Sequence, residues 1–285
     1  MMGEALAILS ALMQAISTVL SAEALKNVDP LWSNVIKSLA SAAVMLPIVA
    51  ATGVLFGCIN VRADSLFFVI LAAIVGFGFG DTFLFKSIVL IGVSRAYTIS
   101  FTSPLFTMVL AIIFLNETFL LKYLIGTTFI VISLAIVSLE LEGGGQKDAS
   151  LRGIIAAVAA ALCWAVGTVL AALGLRGIDV LLANAIRFPI LALFLLLISK
   201  PGEKRRVAGR DLMLLSAAGV TGMVFGGITF LLSIQLIGAS RASPLNASSP
   251  VLTSIISKAF LKEKVTLRLI SSSIFITTGI YFLVS

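Results

Sequence analysis

Ten stretches of mostly apolar residues follow one another along the chain, and that succession constrains the fold more than any other feature. They run over 3–22, 31–55, 66–90, 94–115, 121–140, 152–174, 180–199, 211–236, 241–261 and 266–284. A helix rising ~1.5 Å per residue needs about 20 apolar residues to cross a hydrocarbon core of roughly 30 Å. Lipid offers no hydrogen bond to an open backbone, so stretches of this length must satisfy their own amides as helices. A β-barrel would instead show alternating segments of ~10 residues, which this sequence lacks. Of the 285 residues, 60% are hydrophobic and 12% charged, and the mean hydropathy is +1.16, well beyond a soluble domain. The expected fold class is an all-α polytopic membrane protein with ten transmembrane helices.

The net charge of +7 does not point to nucleic acid, because Lys and Arg sit mainly in the gaps between apolar stretches, where they set topology and meet lipid headgroups. The chain has two cysteines, Cys58 and Cys163, no CxxC pair and no histidine, so the expectation is no metal site, no cofactor and plain packing for both thiols. The segment from Met1 to Ser21 holds Glu4 and no Lys or Arg, and reads as the first spanning helix rather than a signal peptide. Asp29-Pro30 fits an N-cap followed by Pro at the first helical position.

The longest low-complexity break, Gly143 to Asp148, falls near the midpoint, and the sequence on either side of it repeats. At an offset of 150 residues Gly3 meets Gly153, Thr18-Val19-Leu20 meets Thr168-Val169-Leu170, Asp29 meets Asp179, Asn34 meets Asn184 and Lys37 meets Arg187. At an offset of 146, Ser94-Arg95-Ala96 meets Ser240-Arg241-Ala242, Ser103-Pro104 meets Ser249-Pro250 and Glu117 meets Glu263. The expected organisation is a first five-helix repeat at 1–142, a linker at 143–150 and a second repeat at 151–285. Five is odd, so the second repeat enters the membrane from the opposite side, giving the inverted plan on which many secondary transporters are built.

The pieces Gly92-Val93-Ser94-Arg95-Ala96, Ser103-Pro104-Leu105 and Asn116-Glu117, with their partners Gly238 to Ala242, Ser249-Pro250-Val251 and Lys262-Glu263, resemble the drug/metabolite transporter superfamily, in particular its ten-helix EamA-type members. Asn34 to Ala40 and Asn184 to Ala192 are similar to that family's second-helix segment, which Arg187-Phe188 fits and from which Lys37-Ser38 departs. The resemblance covers essentially the whole chain. It implies a permease for metabolites, amino acids or drugs and leaves the solute unnamed.

Polar groups deep in spanning helices are costly, about 2.5 to 3.5 kcal/mol for a charge on insertion scales, so each asks for a reason. Pro104 and Pro250 fall near mid-bilayer, and a proline there removes a backbone donor and kinks the helix. With Ser103, Asn246 and Ser249 beside them, the two kinks are the expected cavity wall. Lys37 and Arg187, beside Asn34 and Asn184, are placed to meet an anionic solute or to snorkel to the interface. Gln14 and Trp164 occupy equivalent places and are candidates for asymmetric solute contacts, with Tyr97 near the opposite side. Asp81 is the carboxylate set well inside an apolar stretch, a candidate for cation or proton coupling, with a pair to Lys86 or Arg95 as the structural alternative. The repeat places Gly227 opposite Asp81. Glu117 and Glu263 are expected to be structural, facing helix N-termini, and Gly222, Gly226 and Gly227 to permit close helix approach.

Basic residues of the second half concentrate in two loops, around Lys200 to Arg210 and Lys258 to Arg268. That census puts those loops in the cytoplasm and both termini outside, whereas the resemblance implies cytoplasmic termini, so orientation stays open. No catalytic residue is expected: a lipid-directed membrane enzyme would cluster Asp, His or Cys at a membrane face. An uncoupled channel is the other rival. The expected partners are a small-molecule solute, a coupling proton or ion and the lipid bilayer of the cell membrane, with no nucleic acid and a monomer sufficient for function.

Overall fold

The computed structural model describes residues 1–54, 61–91, 96, 99–141, 151–199, 207–249, 251–252 and 267–284. Among these, ten helices account for nearly everything: α1 Met2–Ala24, α2 Pro30–Thr52, α3 Ala63–Ile91, α4 Ser103–Leu115, α5 Leu121–Leu141, α6 Leu151–Gly174, α7 Val180–Ile198, α8 Gly209–Ile237, α9 Ala239–Asn246 and α10 Leu267–Val284. Six of them (α1, α2, α3, α6, α7 and α8) are long and apolar enough to cross a membrane, and α4 and parts of α5 and α10 are shorter apolar helices. Large apolar side chains such as Phe67, Ile113, Phe114 and Leu197 are exposed on the outside, the side that meets lipid in a polytopic membrane protein. Tyr97, Pro250, Arg95, Glu263, Cys58 and the expected linker 143–150 lie outside the described residues.

Local chemistry sets the helix ends. Asp29 accepts hydrogen bonds from the amides of Leu31 and Trp32, with Pro30 opening α2, as the sequence leads one to expect. Asp179 does the same for Leu181 and Leu182 at the start of α7. Helix α2 stops at Gly53 and α8 at Gly238, whose φ angles of 71° and 79° cost a residue without Cβ little.

Helices α3 and α8 share a feature the sequence did not announce. Each is wound as a π-helix in its middle, over Ala73–Gly80 and Gly219–Gly226, positions related by the 146-residue offset. Ordinary α-helix resumes at Asp81 in one and Gly227 in the other. A π-turn misaligns the regular carbonyl ladder, and side chains from other helices meet it: Ser10 Oγ donates to the Gly226 carbonyl at 2.8 Å, Ser17 Oγ to Ala218 at 2.8 Å and Asn34 Nδ2 to Phe77 at 2.7 Å.

The packing follows an exchange. Helix α1 packs along α8, and its counterpart α6 packs along α3. Helix α2 packs on α7, α4 meets α9, and α5 lies against α10. Glycines allow these approaches: a Cβ on Gly167 of α6 would stand 2.8 Å from the Gly76 Cα of α3, and one on Gly222 of α8 would strike the Ser17 side chain of α1. Gly126 and Gly279 make the α5–α10 crossing in the same way, each against the other's carbonyl at 2.8 and 2.7 Å.

Candidate functional site

Where the exchanged helices converge they leave a cavity of about 170 Å³, walled by residues of α1, α2, α3, α4, α6, α7, α8 and α9 and by the chain just beyond α9. Among the described residues, none that lines it comes from α5 or α10. Lys37, Asp81, Trp164 and Arg187 supply its strongest polar groups, and Gln14, Ser103, Asn246 and Ser249 also line it. Aromatic rings of Phe77, Phe85, Phe101 and Phe230, none of them singled out from the sequence, make up much of the apolar wall.

Asp81 sits at the end of the π-helical stretch of α3 and is buried. Its partner is neither Lys86, which is exposed, nor any residue of its own helix, but Lys37 of α2, whose Nζ stands 3.7 Å from Oδ2. The indole Nε1 of Trp164 donates to Oδ1 at 3.0 Å, and the Lys37 ammonium lies 5.3 Å from the centroid of Phe85. The carboxylate is thus held by one charge and one neutral donor from two other helices, a charge-assisted arrangement stronger than a neutral hydrogen bond.

Lys37 and Arg187 do not snorkel. They are 6% and 4% exposed and both line the cavity. Arg187 lies between two rings, its guanidinium carbon 5.1 Å from the centroid of Phe77 and 4.9 Å from that of Phe188. Among the described residues it forms no ion pair, and its Nε is buried without a hydrogen-bond partner.

Several sequence expectations need correction. Asn34 and Asn184 are fully buried and serve as braces, Asn34 Nδ2 donating to the Phe77 carbonyl and Asn184 Nδ2 to the Val180 carbonyl at 2.8 Å; neither lines the cavity. Their amides are long enough to reach a nearby carbonyl and too short to reach past it. Pro104 does not line the cavity either. It occupies the first turn of α4, where a missing N–H costs nothing. The discontinuity lies just before it, at Phe101–Thr102, where Thr102 N bonds Ile99 O at 3.2 Å and Leu105 N bonds Thr102 O at 3.0 Å. The second half breaks at the equivalent Ala247–Ser248, with Ser248 N on Leu245 O and Val251 N on Ser248 O. These breaks bring Phe101, Ser103, Asn246, Ala247 and Ser249 to the cavity wall.

One end of α9 is tied down by charge. Glu117 accepts from the amides of Ala239 and Ser240 at 2.7 and 2.9 Å, so the helix N-terminus it serves is 122 residues away and not that of the helix following it. Arg241 donates to Glu4 of α1 at 2.7 Å and to the Leu283 carbonyl of α10 at 2.8 Å.

Comparison with known proteins agrees with this architecture. Residues 1–139 and 151–285 each match the EamA-like transporter family. The chain is 24% identical over 259 residues to an uncharacterized transporter of Archaeoglobus fulgidus, covering 90% of this chain and 89% of that one. A crystal structure 16% identical in sequence superposes with a TM-score of 0.82 over 98% of this chain and 95% of its own, a likeness of fold. The chain belongs to the EamA-like transporter family.

Proposed function

We propose that this membrane protein is a secondary active transporter, a permease that carries small metabolites, amino acids or drugs across the cell membrane by alternating access around the central cavity. It is not an enzyme in this reading. Residues 1–142 and 151–285 act as two inverted five-helix repeats joined by 143–150, and a monomer holds the complete device. The observation that carries the proposal is the cavity's place in the exchange: it is walled by α1 and α8 on one side and by α6 and α3 on the other, so rocking one set against the other would open it to alternate faces. The mid-helix breaks beside it supply joints, since non-helical backbone at membrane depth is tolerated where it lines a cavity.

Asp81 is the proposed coupling residue. Protonation would release Lys37 and slacken the α2–α3 contact, linking a proton to the state of the cavity.

The experiment is reconstitution in liposomes with pooled amino acids, metabolites and cationic drugs, with and without a pH gradient. Saturable uptake with counterflow is the expected result. Flux that never saturates and shows no counterflow would make the protein a channel; product formation without flux would make it an enzyme.

A further inference from the structure

The two cationic residues of the cavity are equivalent by the 150-residue offset, yet their surroundings differ in one decisive way. Lys37 faces Asp81. The residue that the 146-residue offset places opposite Arg187 is Gly227, which has no side chain. The structure bears out that geometry: a Cβ built on Gly227 would stand 2.8 Å from Arg187 Nη2 and 3.4 Å from Asn184 Oδ1. The first half therefore carries its own carboxylate, and the second half leaves its place vacant beside a buried guanidinium.

That guanidinium is unsatisfied. Arg187 is 4% exposed, its Nε lacks a hydrogen-bond partner, and among the described residues no carboxylate pairs with it. The flanking rings of Phe77 and Phe188 offset some of the charge but accept no N–H in the plane of the guanidinium. A buried charge is retained where something pairs with it at least part of the time.

The geometry points to a solute anion as that partner: the transported molecule carries a carboxylate that takes the place opposite Arg187 which Asp81 takes opposite Lys37. Lys37 and Asp81 already neutralise each other, so the described residues of the cavity wall carry one net positive charge, and a monoanion balances it where a dianion would leave an excess in a low-dielectric space. A guanidinium also matches the two oxygens of a carboxylate in its fixed fork. The aromatic wall and the volume of about 170 Å³ select a small organic monocarboxylate with an apolar body. This deepens the transport reading, and rests on it for the role of the bound molecule as cargo.

The test is binding to the purified full-length protein in detergent, read as thermal stabilisation and as intrinsic fluorescence change. Phenylacetate and pyruvate are the probes, their neutral amides the controls, and chloride the inorganic comparison. The wild type is expected to respond to a carboxylate and not to its amide. Gly227→Asp supplies the missing carboxylate in cis: it should fold with a melting temperature at or above the wild type while losing about ten- to a hundredfold in carboxylate affinity. Gly227→Ala, whose methyl crowds Arg187 Nη2 without bringing a charge, should lose less carboxylate affinity than Gly227→Asp; an equal loss in the two variants would also overturn the assignment. The assignment is overturned if amides or chloride bind as well as the carboxylates, if no carboxylate binds, or if Gly227→Asp binds them like the wild type. Because binding is read without flux, the two claims separate: carboxylate binding with no transport would sink the carrier reading alone, and transport of neutral or cationic solutes without carboxylate binding would sink this one alone.

Discussion

Lys37 of α2 and Asp81 of α3 form an ion pair inside the membrane-spanning bundle, Nζ to Oδ2 at 3.7 Å, with both side chains almost wholly withdrawn from solvent. Removing one member of such a pair strands the other, whereas removing both leaves no orphan charge. Asp81→Asn and Lys37→Met should each cost about 3 kcal/mol of stability, and the double variant less than their sum. A thermal or denaturant titration in detergent checks the cycle; additive single effects would mean the pair does not interact.

The coupling role of Asp81 makes a separate prediction. Asp81→Asn should keep counterflow, which needs no driving ion, and lose accumulation driven by a pH gradient. Gradient-driven uptake that survives the change would remove Asp81 from coupling.

Trp164→Phe keeps an aromatic ring against Phe101, whose centroid is 5.2 Å from the indole, and deletes the N–H that reaches Asp81. A hydrogen bond to a charged group is worth roughly 1.5–3 kcal/mol. The variant should therefore be destabilised by about that amount, and the loss should vanish in an Asp81→Leu background, which offers the indole no acceptor. An equal loss in both backgrounds would assign it to packing.

Glu117 holds the start of α9 with both carboxylate oxygens. Glu117→Ala should cost on the order of 1–2 kcal/mol, and Glu117→Gln less, since the amide oxygen still accepts from one N–H. Denaturation midpoints of the three proteins give the ranking.

Gly167→Ala should cost about 1–3 kcal/mol, because its methyl meets the backbone of Gly76 and not a side chain that can swing away. Gly209→Ala meets nothing within 4 Å and should change stability by less than about 0.5 kcal/mol. Comparable losses at the two sites would contradict the close α3–α6 approach.

The spans are legible because burial in lipid acts on each one locally: hydropathy alone locates eight of the described helices to within a few residues, and Asp29 marks its own cap. The stretches 94–115 and 241–261 run across the turns at Phe101–Thr102 and Ala247–Ser248, which interrupt an apolar run without changing its hydropathy. Lys37, Asp81, Trp164 and Arg187 could each be singled out by the cost of placing them in a membrane. That Lys37 and Trp164 both converge on Asp81 could not, because partners on three different helices share no local spacing. The π-helical turns were hidden for a related reason: Gly-Phe-Gly-Phe-Gly at 76–80 is as compatible with close packing as with a widened turn, and only the helices packed against it decide. Asn34 and Asn184 looked like cavity residues from their depth, yet depth fixes a height in the bilayer and not the face of the helix.

The central claim, a cavity that opens in turn to each side, is tested most directly by its accessibility. In a background with Cys58 and Cys163 replaced by alanine, Thr168→Cys places one thiol in the cavity wall. Vesicles of each orientation are then treated with a membrane-impermeant maleimide. Alternating access predicts labelling from both sides, at rates that shift in opposite directions when solute is supplied on one side. Labelling from a single side, unaffected by solute, would contradict it.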